Sequence, residues 1–285
     1  MSFAEPGKGY ELYPLGEAAV VIRWDGTIGE RTRLRVDGTV RRLDRCRNPA
    51  ITEWARAYTT VTVYYDPWRV YEGRLAERSS HSASGMSGGL PDASPYDLVC
   101  AWVHEQLQGL EEELGHTEAS LELRTIPVCF GLAYGPDLEE VARRSGLSPE
   151  EAVAMYCSAL YTVHLIGFAP GFPYLGGLPE RLENPRRSEP RAAVPAGSVG
   201  IAGSQTGIYP AATPGGWQLI GRTPLRLFDP AREPASLLLP GDRVRFEPVS
   251  AARYKELEAR LSRAQEEAGE DREDGASGTK EANAK

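Results

Sequence analysis

The sequence predicts an α+β protein in two parts, a small N-terminal α/β unit followed by a β-rich domain. Three observations carry this reading. The chain has 285 residues, at the border between one domain and two, since domains usually run ~100 to 200 residues. Hydrophobic residues make up 41% and charged residues 25%, an ordinary globular composition that excludes wholesale disorder. The texture then changes along the chain: His164 to Gly221 holds 11 of the 30 glycines and 8 of the 22 prolines. Loops and tight turns between short strands follow from that density, which points to a β-barrel or sandwich.

Taken in order, Tyr10 to Tyr13 and Ala18 to Trp24 read as strands, and the charged segment from Glu30 to Cys46 reads as a helix weakened by Gly38. Tyr58 to Tyr65 (YTTVTVYY) alternates Thr with Val, the pattern of a half-buried strand. Ser79 to Ser94 (SSHSASGMSGGLPDAS) is a Ser/Gly-rich insertion whose composition buries little. Ser94 and Pro95 open a helix as N-cap and first residue, with Leu98, Trp102, Leu107, Leu110 and Leu114 at helical spacing up to Gly115. A strand from Leu121 to Cys129 follows, so the first part reads as a βαβ-type unit. Asp137 to Arg144 and a helix opened by Ser148-Pro149-Glu150-Glu151 come next, the latter with capping-box residues and with Val153, Tyr156 and Leu160 directed inward. Leu237 to Leu239 and Val244 to Val249 read as late strands around the turn Pro240-Gly241-Asp242. From Ala251 a helix carries Tyr254, Leu257 and Leu261 on one stripe, then gives way to a polar tail expected to be disordered. The expected domains are 1–120 with the insertion near 79–94, 121–250 as the β-rich domain, and 251–285 as helix and tail.

Charge and cysteine usage exclude several functions. Lys and Arg total 32 against 40 Asp and Glu, a net charge of -8, which disfavours nucleic acid or an anionic membrane as partner. Cys46, Cys100, Cys129 and Cys157 are far apart and make neither a CxxC pair nor a Cys/His zinc pattern. No basic segment followed by an apolar run opens the chain, and no apolar stretch is long enough to span a bilayer, so a cytoplasmic protein is expected.

Four blocks can carry chemistry: His164 to Leu182 (HLIGFAPGFPYLGGLPERL), Pro185 to Arg191 (PRRSEPR), Val194 to Pro210 (VPAGSVGIAGSQTGIYP) and Thr213 to Asp229 (TPGGWQLIGRTPLRLFD). Their glycines either free backbone amides to approach an anion or serve barrel corners and bulges. No Walker A loop and no nucleophile elbow is present. From Tyr161 to Phe228 six arginines (181, 186, 187, 191, 222 and 226) outnumber three glutamates, a patch suited to an anionic ligand. Period-2 counting puts Thr162, His164 and Ile166 on one strand face, and His164 can act as general acid, base or clamp there. The aromatics Phe168, Phe172, Tyr174, Tyr209 and Trp217 either line a pocket or pack a core. His81, His104 and His116 fall in the insertion or on a helix surface and carry no signal.

These blocks resemble the KipI/PxpB family, the B component of 5-oxoprolinase, also called allophanate hydrolase subunit 1, from about Tyr10 to Val249. The resemblance departs at the Ser/Gly-rich insertion and the tail. It implies a small N-terminal α/β domain, ferredoxin-like, followed by a cyclophilin-like β-barrel. It further implies a subunit of an ATP-dependent 5-oxoprolinase, inactive alone, that cleaves 5-oxo-L-proline to L-glutamate. The implied partners are a KipA/PxpC-like and a LamB/YcsF-like (PxpA) subunit. ATP, with Mg shared with or held by the partner, would be the cofactor. Alternatives within the family are inhibition of a sporulation histidine kinase and a carboxyltransferase role like that in urea carboxylase. The candidate catalytic residue is His164. Candidate ligand-binding residues are Phe168, Pro170, Gly171, Tyr174, Arg187, Arg191, Gly203, Gln205, Thr206, Tyr209, Trp217 and Arg222, and no metal ligand is expected.

Because neither the insertion at 79–94 nor the tail beyond Ala264 can bury apolar surface, deleting both is expected to leave the unfolding midpoint within a few degrees and partner assembly intact. Thermal unfolding and co-purification check this.

Overall fold

The computed structural model describes residues 9–46, 48–73, 93–114 and 123–263. The expectations for the insertion up to residue 92, for His81 and His116, and for the tail from residue 264 lie outside the described residues. Contacts divide the chain into two compact units, Met1–Ser120 and Leu121–Lys285.

The first unit runs β1 (Tyr10–Pro14), β2 (Ala19–Trp24), α1 (Glu30–Arg45), β3 (Ile51–Arg56), β4 (Thr60–Tyr65), the helical residues 67–73 (α2), α3 (Pro95–Leu107) and α4 (Leu110–Leu114). Its sheet has the order β1-β2-β4-β3, with every neighbour antiparallel. β2, α1 and β3 make a split βαβ crossover, since β2 and β3 each run antiparallel to the β4 between them, but the β-α-β-β-α-β order of a ferredoxin-like unit is not found among the described residues. The reason is the short links: β1 and β2, and likewise β3 and β4, follow each other closely enough to close hairpins, which favours antiparallel neighbours. Edge strand β3, ITEWAR, escaped the sequence reading because Glu53, exposed, and Arg56, paired with Asp37 at 2.8 Å, interrupt its apolar residues. The single helix expected from Ser94 to Leu114 is two helices, separated at Gly109 with φ +70°. His104 is half-buried and hydrogen-bonds the Tyr10 hydroxyl at 2.7 Å, so it packs inside this unit rather than lying on a bare surface. Leu12, Ile22, Val61, Val63 and Val103 form the core between sheet and helices.

The second unit is a closed barrel with accessory elements. In chain order it comprises β5 (Leu123–Phe130), α5 (Leu138–Arg144), α6 (Pro149–Ser158), β6 (Tyr161–Ile166), β7 (Pro173–Gly176), β8 (Arg191–Val194), β9 (Ser198–Ala202), β10 (Gln205–Ile208), β11 (Thr213–Gly215), β12 (Gln218–Arg222), β13 (Arg243–Pro248) and the helical residues 251–263 (α7). Around the barrel the order is β10-β7-β6-β13-β5-β12-β9, and β9 pairs with β10 to close it. β5 and β13 are parallel, the other barrel pairs antiparallel, and β8 and β11 make a separate ribbon. Closure decides between barrel and sandwich. The expected strand at Leu237–Leu239 is absent: an isolated bridge between Phe228 and Ser236 stands there instead, while Leu238 is buried in the core. Ser148 and Glu151 form the expected capping box at α6, and Tyr156 turns inward, but Leu160 is exposed because the helix ends at Ser158. Among the described residues no helix is long and apolar enough to cross a membrane.

Inward-facing Val163, Leu175, Ile201, Ile208, Ile220 and Phe246 fill the barrel. Thr206, expected at a ligand, belongs to this interior: it is fully buried, donates to the Gly200 carbonyl at 2.8 Å and shares a 2.7 Å hydrogen bond with the Tyr156 hydroxyl. The two-residue strand period puts it on the same side as Ile208. Thr206→Val nearly keeps the shape but strips both partners, and is expected to lower stability by about 1–3 kcal/mol, measured by denaturant unfolding.

Candidate functional site

A barrel filled by its own side chains leaves the outer face of its sheet for a ligand. On that face, Tyr174 and Gly176 of β7, Gly207 of β10 and Gly200 and Ala202 of β9 alternate with the core residues. Phe172 occupies the centre. Its ring meets Phe168 at 5.4 Å, Tyr209 at 5.2 Å and Trp217 at 5.5 Å in edge-to-face contacts, and Tyr174 at 4.8 Å. The strands admit these rings because glycine stands beneath them. A Cβ on Gly207 would lie 2.9 Å from the Phe172 ring, one on Gly200 3.0 Å from the Trp217 Cβ, and one on Gly215 within contact of the Tyr209 hydroxyl. These glycines therefore seat aromatic rings, and the expectation that they free amides for an anion does not hold at these positions.

His164 sits at the border of this face. Strand pairing runs Val163 to Leu175 and then Leu165 to Tyr174, so His164 is the extra residue of a β-bulge. Its imidazole lies directly over Gly176, where any Cβ would collide with Nε2. Thr162, His164 and Ile166 share the half-buried face, as the strand period requires. Phe168 follows in the left-handed region at φ 68°, with 64% of its surface exposed. Such a conformation costs roughly 1–3 kcal/mol in a non-glycine residue. Backbone hydrogen bonds from Gly167 to the Phe172 carbonyl, from Ala169 to that of Gly167 and from Phe172 to that of Ala169 hold the loop in place. Pro170 is exposed on this loop, and Gly171, at φ +80°, lets it pack on the Leu227–Phe228 backbone.

The arginines divide sharply. Arg191 Nη2 donates to Asp137 Oδ1 at 2.7 Å and Arg187 Nη1 to the same oxygen at 3.1 Å, while Asp137 Oδ2 accepts from the Leu219 backbone at 2.7 Å. Asp137 is buried, so Arg187 and Arg191 are structural first. Arg222 is elsewhere: its guanidinium stacks on Tyr134 at 5.7 Å, and it lies at the far end of β12 from Trp217, roughly 15 Å away. Gly203 and Gln205 belong to the β9–β10 turn. The Gly203 amide donates to the Asn184 carbonyl, and Gln205 pairs with Ala202, a member of the aromatic cluster. Arg186 lies exposed beside the tyrosines. Burial raises the pKa of Tyr174 and Tyr209, and the Arg186 charge pulls both back down. Tyr209 also has a hydrogen bond with the Trp217 backbone.

The structure thus groups Phe168, Tyr174 and the buried Tyr209 and Trp217 around Phe172, sets His164 over Gly176 two residues along β7 from Tyr174, places Pro170, Gly171, Gly203 and Gln205 in the bordering turns, ties Arg187 and Arg191 to Asp137, and separates Thr206 and Arg222 from the face. Sequence reasoning missed Asp137, which no local spacing links to arginines 50 and 54 residues away, and did not single out Arg186. A cavity of about 390 Å³ lies in the first unit between Leu43, Cys46, Ile51, Trp54 and Trp102. No charged side chain lines it, and the convergence of histidine, aromatics and arginine on the barrel is the better site.

Residues 10–238 match the family model of the carboxyltransferase domain, subdomain C and D. Over 245 residues the chain is 42% identical to the B subunit of 5-oxoprolinase from Bacillus subtilis (strain 168), covering 86% of this chain and 95% of that protein. The chain belongs to the family of 5-oxoprolinase B subunits. Within that family, the Escherichia coli O157:H7 protein is 58% identical over 50% of this chain and 66% of its own length. The crystal structure of TTHA0988 superposes with a TM-score of 0.61 at 34% identity, covering 82% of this chain, which spans 40% of the TTHA0988 chain.

Removing the Asp137 carboxylate strands two guanidinium groups and a buried amide. Asp137→Ala is expected to cost about 3–5 kcal/mol, and Arg187→Gln and Arg191→Gln each to lower Tm, whereas Arg186→Gln leaves it unchanged. Thermal unfolding of the four variants checks this.

Proposed function

We propose that the chain is the B component of an ATP-dependent 5-oxoprolinase that opens 5-oxo-L-proline to L-glutamate in the cytoplasm, together with KipA/PxpC-like and LamB/YcsF-like subunits. The observation that carries this reading is the 42% identity to the Bacillus subtilis protein of that name along 95% of its length. Four free cysteines among the described residues suit a reducing compartment.

The chemistry of the face agrees with the substrate. A five-membered lactam is a compact ring with a polar edge, and the exposed Phe168 with the half-exposed Tyr174, seated on the buried Phe172, Tyr209 and Trp217, suits it. The lactam is also an unreactive amide, so ATP is required to turn its carbonyl into a better electrophile. Phosphate and Mg chemistry needs carboxylates. Among the described residues no group of three His, Cys, Asp or Glu can hold a metal, and the Asp137 carboxylate is already committed to two arginines and an amide. The donor set of the described residues does not fit Mg, which supports the reading that the metal and the nucleotide phosphates fall to a partner subunit. This chain orients the ring, keeps water from its apolar faces and sets the His164 imidazole beside it, where it serves in proton transfer.

Co-expression with the two partners is expected to yield ATP-dependent glutamate formation from 5-oxoproline, and the chain alone none. In the assembled enzyme, His164→Ala is expected to lower the rate about 10²-fold with normal assembly. Gly176→Ala, which pushes the imidazole aside, is expected to reproduce part of that loss. Wild-type rates in both variants would remove His164 from the chemistry.

A further inference from the structure

Of the six arginines in the patch, five are engaged. Arg187 and Arg191 bind Asp137, Arg222 covers Tyr134, Arg181 donates to the carbonyls of Ser145 and Gly146, and Arg226 donates to that of Phe228. Arg186 is the exception: among the described residues it has no ion pair and no hydrogen bond. Its neighbour is nevertheless fixed, since the Arg187 amide donates to the Gly216 carbonyl at 2.8 Å and the Arg187 side chain is tied to Asp137. The stem of Arg186 therefore springs from an anchored backbone at the margin of the aromatic face.

We infer that Arg186 is the residue that recognises the carboxylate of a small cyclic acid, whose ring lies against the half-exposed Tyr174 while the acid group meets the guanidinium. This rests on the 5-oxoprolinase reading and adds to it the residue that tells a lactam acid from a plain lactam. Three observations support it. First, the hydrogen bond from the Arg187 amide to the Gly216 carbonyl ties the residue after Arg186 to the residue before Trp217, whose ring lies 5.9 Å from that of Tyr174, and the Arg186 charge acts on the hydroxyls of both Tyr174 and Tyr209. Second, the acid set close behind the face, Asp137, is turned inward and held by other donors, so among the described residues no carboxylate pairs with Arg186. Third, Arg191 keeps a buried Nη1 with no acceptor after its Nη2 has bound Asp137. The field at the base of the face therefore stays positive even with the carboxylate in place. A guanidinium matches a carboxylate with two parallel donors, which fixes orientation as well as affinity. An ammonium in its place would supply charge without the fork.

The test uses the assembled enzyme with Arg186→Gln and Arg186→Lys. The probes are 5-oxo-L-proline as substrate and 2-pyrrolidinone, the same ring without the acid, as competitor. Arg186→Gln is expected to raise KM for 5-oxoproline by about tenfold or more, with a much smaller change in kcat, while inhibition by 2-pyrrolidinone stays as in wild type. Arg186→Lys should restore part of the KM. An unchanged KM, or an equal weakening of 2-pyrrolidinone, would overturn the assignment while leaving the functional reading intact. A fall in Tm for Arg186→Gln would likewise overturn it, by making the residue structural. Failure of the wild-type complex either to bind or to turn over 5-oxoproline would sink the functional reading, and this inference with it.

Discussion

The Asp137 carboxylate and its amide organise the side of the barrel that carries the aromatic cluster. One oxygen holds Arg187 and Arg191, the other holds the Leu219 amide, and the Asp137 amide itself donates to the Leu219 carbonyl. The start of α5, the strand β12 and the segment that leads into β8 thereby meet at one buried group. Burying a charge is unfavourable unless it is paired and hydrogen-bonded, and here both oxygens are satisfied. The arrangement also explains why Asp137 makes no side-chain cap to the helix it precedes: its oxygens are occupied. Trp217 leads into β12 and Leu219 stands on it beside this anchor, so the position of the aromatic face follows from it.

A second constraint is volume. Rings packed on the outside of a sheet need room that an ordinary strand residue would occupy, and the glycines at 176, 200 and 207 supply it under His164, Trp217 and Phe172. This cluster is separate from the barrel interior, so the sheet between them is covered by apolar side chains on both faces at this point. The cost of glycine in a strand, roughly 0.5–1 kcal/mol relative to alanine, is offset by aromatic contacts worth about 0.5–1.5 kcal/mol each. Gly176, Gly200, Gly207 and Gly215 are therefore seats for large rings, whereas Gly171, Gly177, Gly197 and Gly203 serve turns at positive φ.

Local signals in the sequence were legible and distant ones were not. Capping boxes, proline at the first helical turn and Thr/Val alternation located α3, α6 and β4 because each depends on residues within a few positions of one another. The face of His164 followed from the same local period. Thr206 was misassigned because its partner Tyr156 lies 50 residues away, and a hydroxyl in a glycine-rich block has no local mark of facing inward. Arg222 was grouped with Arg187 and Arg191 by charge, which carries no information about direction along a strand. The strand that completes the βαβ crossover of the first unit, β3, was not legible because Glu53 and Arg56 interrupt its apolar residues. Only pairing with β4 reveals it.

Division of labour among the components of the enzyme follows from the same electrostatics. Metal-bound phosphate needs several carboxylates close together, whereas recognition of an acidic substrate needs a guanidinium that no carboxylate has claimed. Placed within a few ångströms of each other before substrate arrives, the two sets would pair, and the substrate acid would have to displace a protein acid already held in register. The structure shows that outcome where it is wanted: Asp137 captures two arginines and immobilises them. Arg186, one residue along, escapes capture because the segment from 185 to 191 offers Glu189 only through its backbone carbonyl, which binds Arg187. Among the described residues no carboxylate pairs with Arg186, so its guanidinium stays open to an acidic ligand, which is the condition on which the proposed recognition of a substrate carboxylate depends.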